Sequence, residues 1–202
     1  SYQSDIIRQN VLNKLYQPLM NKFLDKAASV VATSQNYISS STVLRTLEQA
    51  PVFIPNGIDK ELDPASYQEE KEEYEKTYGQ NFFLFLGVFR YYKGLNYLLK
   101  AAQKTGLEVV IGGDGAEAEK LYQYVQEHDL TNVHFLGYVT EQQKHALIDL
   151  SSALILPSSE RSEAYGMVLL EAARQGTPMI STELDSGTSY INAHNETGLV
   201  IS

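Results

Sequence analysis

Glu163 and Glu171 flank Gly166 in the stretch from Ser158 to Gly176. The stretch leaves an apolar run ending at Pro157, passes through small and charged residues, and then turns helical. Met167, Val168, Leu170 and Ala173 recur at helical spacing, and Gly176 stops the helix. Gly166 opens the first turn without a side chain. A helix N-terminus offers unpaired N–H groups and the positive end of a dipole, which suits a phosphate. A glycine there lets a ligand approach the backbone closely. Neither carboxylate binds phosphate, but each accepts hydrogen bonds from paired hydroxyls, so the set fits a ligand carrying sugars beside a phosphate. Two cations, Arg90 and Lys93, follow another apolar run and can grip a diphosphate and stabilise charge growing on it. Each feature alone also reads plainly: a loop acid, a helix-face acid, two solvated surface cations.

The pattern Glu163-Ala-Tyr-Gly-Met-Val-Leu-Leu-Glu171 resembles the E-x(7)-E signature of the family 4 retaining glycosyltransferases, which have the GT-B fold. GTPMIST and ETGLV downstream extend the match, as does VFIPNGID (Val52 to Asp59). The resemblance implies that Glu163 contacts the donor sugar and Glu171 holds the ribose of the nucleotide. Family members commonly place Arg directly after the glycine that follows the first strand, and Lys-Gly several residues later. This sequence keeps Lys93-Gly94 but has Val88 in the first place and Arg90 two residues on. If the strand pattern persists there, Arg90 points the same way and substitutes.

Composition agrees with a soluble globular protein: 202 residues, 43% hydrophobic and 20% charged. A net charge of −9 argues against general nucleic-acid or anionic-membrane binding, so an anionic ligand must be held by a few local cations and N–H groups. No cysteine is present, which removes disulfides and thiolate metal sites. No apolar run approaches the roughly 18 residues of a membrane span, and nothing at the start resembles a signal peptide. Both ends read as cuts through a longer protein.

In chain order, Ser4 to Ala28 read as an amphipathic helix whose apolar face carries Val11, Leu12, Leu15, Leu19 and Phe23, with Pro18 expected to kink or split it. A strand at Ser29–Thr33, a helix capped near Ser40 and running to about Gln49, and a strand at Val52–Pro55 follow. Asp63 to Gln80 read as a solvated acidic helix with a Glu72–Lys76 pair. From Asn81, strands are expected at Phe82–Leu86, Val109–Gly112, Val133–Leu136, Ala153–Leu156, Pro178–Ser181 and Leu199–Ile201. Helices are expected at Leu95–Lys104, Glu117–His128, Glu141–Leu150 and Gly166–Gln175, with a short one near Tyr190. Alternating unbroken apolar strands and helices imply an α/β, Rossmann-like doubly wound parallel sheet with ligands beyond the carboxyl ends of its strands.

By the resemblance this is the C-terminal half of a GT-B fold with a remnant of the N-terminal domain. Residues 1–57 are the tail of the acceptor-side domain, 58–80 a linker, and 81–202 the nucleotide-sugar donor-binding domain. The implied catalytic residues are Glu163, Lys93 and Arg90. The implied donor-binding residues are Glu171 together with Gly166, Met167 and Val168 at the helix start, Tyr138 and Val139 near the nucleobase through their backbone, and Gly113 in the Gly112-Gly-Asp-Gly115 turn. Asp185 and Ser186 stand where many relatives carry glycines, which puts close phosphate approach at that loop in doubt.

No cofactor is implied; a nucleoside-diphosphate sugar is the donor substrate. There is no D-x-D pair, and the four histidines lack metal-ligand spacing. The expected partners are the nucleotide sugar and a carbohydrate or lipid-linked acceptor held through a domain this sequence lacks, with no nucleic acid. The expected location is cytoplasmic, with peripheral membrane attachment open for a longer protein. Residues 1–57 are expected to make this chain self-associate, and a chain starting near Asp63 to be more monomeric. The reaction is transfer of a sugar to a hydroxyl acceptor with retention. A GT-B epimerase or phosphorylase, or a non-catalytic nucleotide-sugar-binding module, stays open at this point.

Overall fold

The computed structural model describes residues 10–59 and 62–202, with the side chains of 10–15 left aside. The expected helix start at Ser4 and the apolar contacts of Val11, Leu12 and Leu15 lie outside the described residues. The described helix α1 (Asn10–Asp25) runs through Pro18 unbroken, so the expected split does not occur. Leu19 and Phe23 on it are 64% and 73% exposed, which leaves this part of the apolar face uncovered.

Strands β1 (Val31–Ala32) and β2 (Val52–Phe53) pair in parallel as a small separate sheet. Between them α2 (Gln35–Ser40) starts six residues earlier than expected. Ser34, not Ser40, is its cap: the Ser34 hydroxyl accepts from the Tyr37 N–H, and the helix ends at Ser41. A 3-10 turn at Leu44–Thr46 takes the place of the expected helix continuation. Tyr37, Leu44 and Ala32 form a small core of their own.

Asp63 caps a 3-10 turn (Pro64–Tyr67) that leads into α3 (Gln68–Tyr78). No residue of this helix is buried, as its acidic sequence suggests, but one side of it and the turn before it are packed. Tyr67 is buried, Tyr74 and Tyr78 pack on the main core, and Lys71 pairs with Asp149 at 2.7 Å. Glu72 accepts from Gln68 at 3.0 Å in place of the expected partner Lys76.

The main sheet has six parallel strands. They are β3 (Phe83–Leu86), β4 (Val109–Gly112), β5 (Val133–Gly137), β6 (Ala153–Leu156), β7 (Met179–Thr182) and β8 (Gly198–Ile201). Their spatial order is β5-β4-β3-β6-β7-β8. The crossovers are α4 (Leu95–Thr105), α5 (Ala118–Glu127), α6 (Glu141–Leu150), α7 (Met167–Gln175) and the short α8 (Thr188–Ile191). Right-handed crossovers put helices on both faces, because the chain builds outward from β3 in one direction and then returns to build in the other. Leu84, Phe85, Val110, Ile111 and Leu154 are fully buried between those layers. Reversal of strand order between β3 and β6 leaves their following loops splayed around a crevice, the usual ligand position in such sheets.

Candidate functional site

A cavity of about 580 Å³ lies at that crevice. Gly87, Val88 and Lys93 reach it from the loop after β3, and Gly113 from the loop after β4. Tyr138 and Val139 follow β5, while the stretch from Glu163 to Val168 and Glu171 follow β6. Thr33 and Asn56 line it from the segment that carries the small sheet, and the Tyr165 hydroxyl donates to the Asn56 carbonyl at 3.2 Å.

One end of the cavity is built around Glu163. Its carboxylate Oε2 lies 2.5 Å from the Lys93 ammonium and accepts from the Ser158 hydroxyl at 3.2 Å. Ser158 is fully buried and serves as a positioning donor, where the sequence suggests only a helix cap. Lys93 closes a 3-10 turn (Tyr91–Lys93), after which Gly94 turns the chain with φ +69° into α4. The Ser159 N–H donates to the Tyr92 carbonyl at 2.8 Å, tying the loop after β3 to the loop after β6.

A second brace comes from the loop after β7. There the Ser186 hydroxyl donates to the Glu163 carbonyl at 2.9 Å, and the Gly187 N–H to the Ala164 carbonyl at 2.8 Å. Ser186 therefore acts behind Glu163, the Asp185 carbonyl accepts from Ser40 and Arg161, and no residue of their loop lines the cavity.

Gly166 caps α7 with φ +82° and no side-chain cap of its own. A Cβ on it would meet Leu156 at 2.9 Å and Leu169 at 3.1 Å. The space that glycine keeps open there is protein interior; the left-handed backbone and tight packing demand it, rather than close approach of a ligand. Met167 and Val168 still bring the start of α7 to the cavity wall.

The other end is built by α6 and α7. Thr140 caps α6 and forms a reciprocal box with Gln143, which fixes the first turn and the residue after it, Lys144. The Lys144 ammonium lies 2.7 Å from Glu171 and 2.8 Å from Glu141. Burial works against its charge, but the hydrogen bonds to Glu141 and Glu171 outweigh burial and hold its pKa above the usual lysine value. The four charged residues on the cavity wall thus form two lysine–glutamate pairs, Lys93 with Glu163 and Lys144 with Glu171.

The structure brings Glu163, Lys93, Glu171, Gly166, Met167, Val168, Tyr138, Val139 and Gly113 to one cavity, and leaves Arg90 off it. The alternation that would aim Arg90 inward stops at Leu86: Gly87 has φ +154°, and the Arg90 N–H folds back onto the Val88 carbonyl at 2.9 Å. Arg90 is exposed, and Val88 lines the wall instead. Among the described residues no group of three His, Cys, Asp or Glu side chains is arranged to hold a metal ion. His128, His134 and His194 bond to Tyr124, Glu108 and Val200 respectively, away from the cavity.

His145 packs behind this wall, against Tyr67, Gln175 and the Arg174 guanidinium, with Glu141 4.0 Å away. Burial, with the nearby Arg174 and Lys144 charges, lowers its pKa below the ordinary 6.5. The unfolded chain then takes up a proton before the native one as pH falls, so this histidine's contribution to stability is present above pH 6.5 and lost below it. Thermal unfolding at pH 7.5 and 5.5 should show a drop in Tm that is smaller in His145→Gln than in the parent. Equal drops in the two proteins would exclude His145 as its source.

A parallel sheet in this order, with a cavity at its reversal point, is the architecture of one half of the GT-B glycosyltransferases that the chain superposes on. Residues 66–202 match the glycosyl transferases group 1 family model, and the chain belongs to that family. It is 50% identical over 201 residues to the D-rhamnosyltransferase WbpZ of Pseudomonas aeruginosa, covering 100% of this chain and 53% of that protein. Identity to the O-antigen chain mannosyltransferase C of Escherichia coli is 42% over 201 residues, covering 100% of this chain and 54% of the relative. The chain therefore spans about half the length of these curated relatives. Among solved structures, Anabaena HepE in complex with UDP superposes with a TM-score of 0.80 at 19% identity, over 99% of this chain and 57% of HepE.

Proposed function

We propose that this chain is the donor-binding part of a retaining, family 4 glycosyltransferase that takes a nucleoside-diphosphate sugar and serves synthesis of an O-antigen or similar polysaccharide. The observation that carries this reading is the single cavity in which Lys93, Glu163, Glu171 and the start of α7 converge. In it Glu171 accepts hydrogen bonds from the ribose diol, while Lys93 and the α7 N-terminus take the diphosphate. Glu163 orients the sugar. As the bond from the anomeric carbon to the diphosphate breaks, negative charge grows on the phosphate oxygen that leaves. Lys93 stabilises that charge. An acceptor hydroxyl attacks from the same face and passes its proton to the leaving oxygen, which retains configuration without a protein nucleophile. The acceptor, a carbohydrate or lipid-linked sugar, is held by parts of the protein beyond this sequence. A cytoplasmic location goes with this reading.

Two relatives narrow the donor. One is a D-rhamnosyltransferase and the other a mannosyltransferase, and D-rhamnose is 6-deoxymannose. These two names support a manno-configured donor sugar as the reading for this chain. Diphosphate neutralisation by Lys93 and a helix terminus makes a carboxylate-held metal unnecessary.

Titration of UDP, GDP and ADP into the parent and Glu171→Ala tests the reading. The substitution should weaken the best binder by about 1.5–3 kcal/mol, the worth of charged hydrogen bonds, and excess chelator should leave binding intact. Unchanged affinity in a folded variant removes the ribose role; binding that needs Mn²⁺ removes the metal-free one.

A further inference from the structure

Lys144 is the charged residue on the cavity wall that neither spacing nor motif marks, and its partner Glu171 is 27 positions away. Its side chain is 16% exposed and that of Glu171 19%, so the pair is largely out of solvent. The ammonium donates to Oε1 of Glu171 at 2.7 Å, and no hydrogen bond to Oε2 is found among the described residues. Its other contacts go to Glu141, whose side chain is 75% exposed. The capping box at Thr140 and Gln143 fixes the turn from which Lys144 projects.

We propose that Lys144 is a positioning residue: it pins one carboxylate oxygen of Glu171 and so presents the other, in a fixed orientation, to the ligand's hydroxyl pair. This rests on the reading of Glu171 as the ribose acceptor. A glutamate on a helix otherwise chooses among several staggered rotamers, and ordering it on binding weakens the complex. The Lys144 contact settles that choice before the ligand arrives. Lys144 thereby does for Glu171 what Lys93 and Ser158 do for Glu163 at the opposite end.

The two roles open to a cavity lysine, positioning a carboxylate or gripping phosphate, separate by experiment. UDP, GDP and ADP and their 2′-deoxy counterparts are titrated calorimetrically against the parent, Lys144→Met, Lys144→Arg and Glu171→Gln. In the parent the best ribonucleotide should bind about tenfold tighter than its deoxy form, the value of one charge-assisted hydrogen bond. Lys144→Met should shrink that ratio to about twofold or less while changing deoxy-nucleotide affinity little, and Lys144→Arg should restore part of it. Equal weakening of both nucleotides by Lys144→Met, with the ratio kept, overturns the proposal in favour of phosphate binding. A ratio that survives in Lys144→Met but collapses in Glu171→Gln overturns it while leaving the ribose reading intact. A ratio that survives in Glu171→Gln removes the ribose reading itself. Should Lys144→Met fail to fold, the comparison of Lys144→Arg with Glu141→Gln decides: only the former, which moves the charge against Glu171, should alter the ratio.

Discussion

Replacing Lys93 by methionine should destabilise the chain by about 3 kcal/mol, because the Glu163 carboxylate is left in its pocket without a counter-charge. The side chains of Lys93 and Glu163 are 14% and 10% exposed, and the Ser158 hydroxyl is the carboxylate's other donor. A loss of that size is a large share of the marginal stability of any domain. The double variant Lys93→Met/Glu163→Gln removes both charges together and should recover most of it. Nucleoside-diphosphate affinity should stay low in both, since the cation proposed to meet the diphosphate is absent from both. Denaturant titrations of parent, both single variants and the double variant give the coupling directly. A Lys93→Met protein as stable as the parent, or a double variant that binds nucleotide normally, would contradict the paired-charge account of the site.

This pairing bears on how a diphosphate enters. Lys93 is held at 2.5 Å by Glu163 in this structure, so on the proposed reading a diphosphate would share the ammonium with the carboxylate or draw it away. On the proposed reading, sharing would keep Glu163 beside the sugar–phosphate bond, where a fixed negative charge would face the electron-poor anomeric carbon that develops as the diphosphate leaves. Charge placed in advance needs no reorganisation during the reaction. The same pair thus gives the cavity its resting structure, and on the proposed reading it would put both members next to the bond that breaks.

Much of this was legible in the sequence because parallel strands buried on both faces leave a coarse signal. Val109–Gly112 and Ala153–Leu156 stand out as short apolar runs between turns, and their bounds agree with the structure. Glu163, Gly166 and Glu171 were legible because one loop and one helix carry all three. What the sequence hides is set by contacts between distant segments. Lys144 and Glu171 meet only because α6 and α7 pack side by side. Ser158 looks like any loop serine until the β6 loop folds it under Glu163. Arg90 was misplaced by assuming that strand alternation continues past Leu86, where the backbone instead folds back on Val88. At α2 two serine-rich capping signals compete within seven residues, Ser34 to Ser40, and only the folded chain shows which one accepts the backbone N–H. Pro18 follows the same lesson, since the missing N–H does not end α1.

Gly94→Ala should cost about 3 kcal/mol and abolish nucleotide binding, although the residue carries no side chain and does not line the cavity. A Cβ at Gly94 would lie 1.8 Å from the Pro157 carbonyl oxygen and 2.8 Å from its carbon, and both atoms are backbone. They cannot rotate away; the loop after β6 must shift as a body. That loop carries Ser158 and Glu163, while Gly94 directly follows Lys93, so the displacement opens the Lys93–Glu163 pair. The left-handed backbone adds its own strain, and Gly106 separates the two effects. It has φ +66° against +69° at Gly94, and nothing lies within 4 Å of where its Cβ would stand. Gly106→Ala should therefore cost only about 1 kcal/mol and leave binding unchanged. Denaturant midpoints and nucleotide titrations on the two variants make the comparison. Equal losses of stability, or a Gly94→Ala protein that still binds nucleotide as the parent does, would show that the two loops at the reversal point are not held together by this contact.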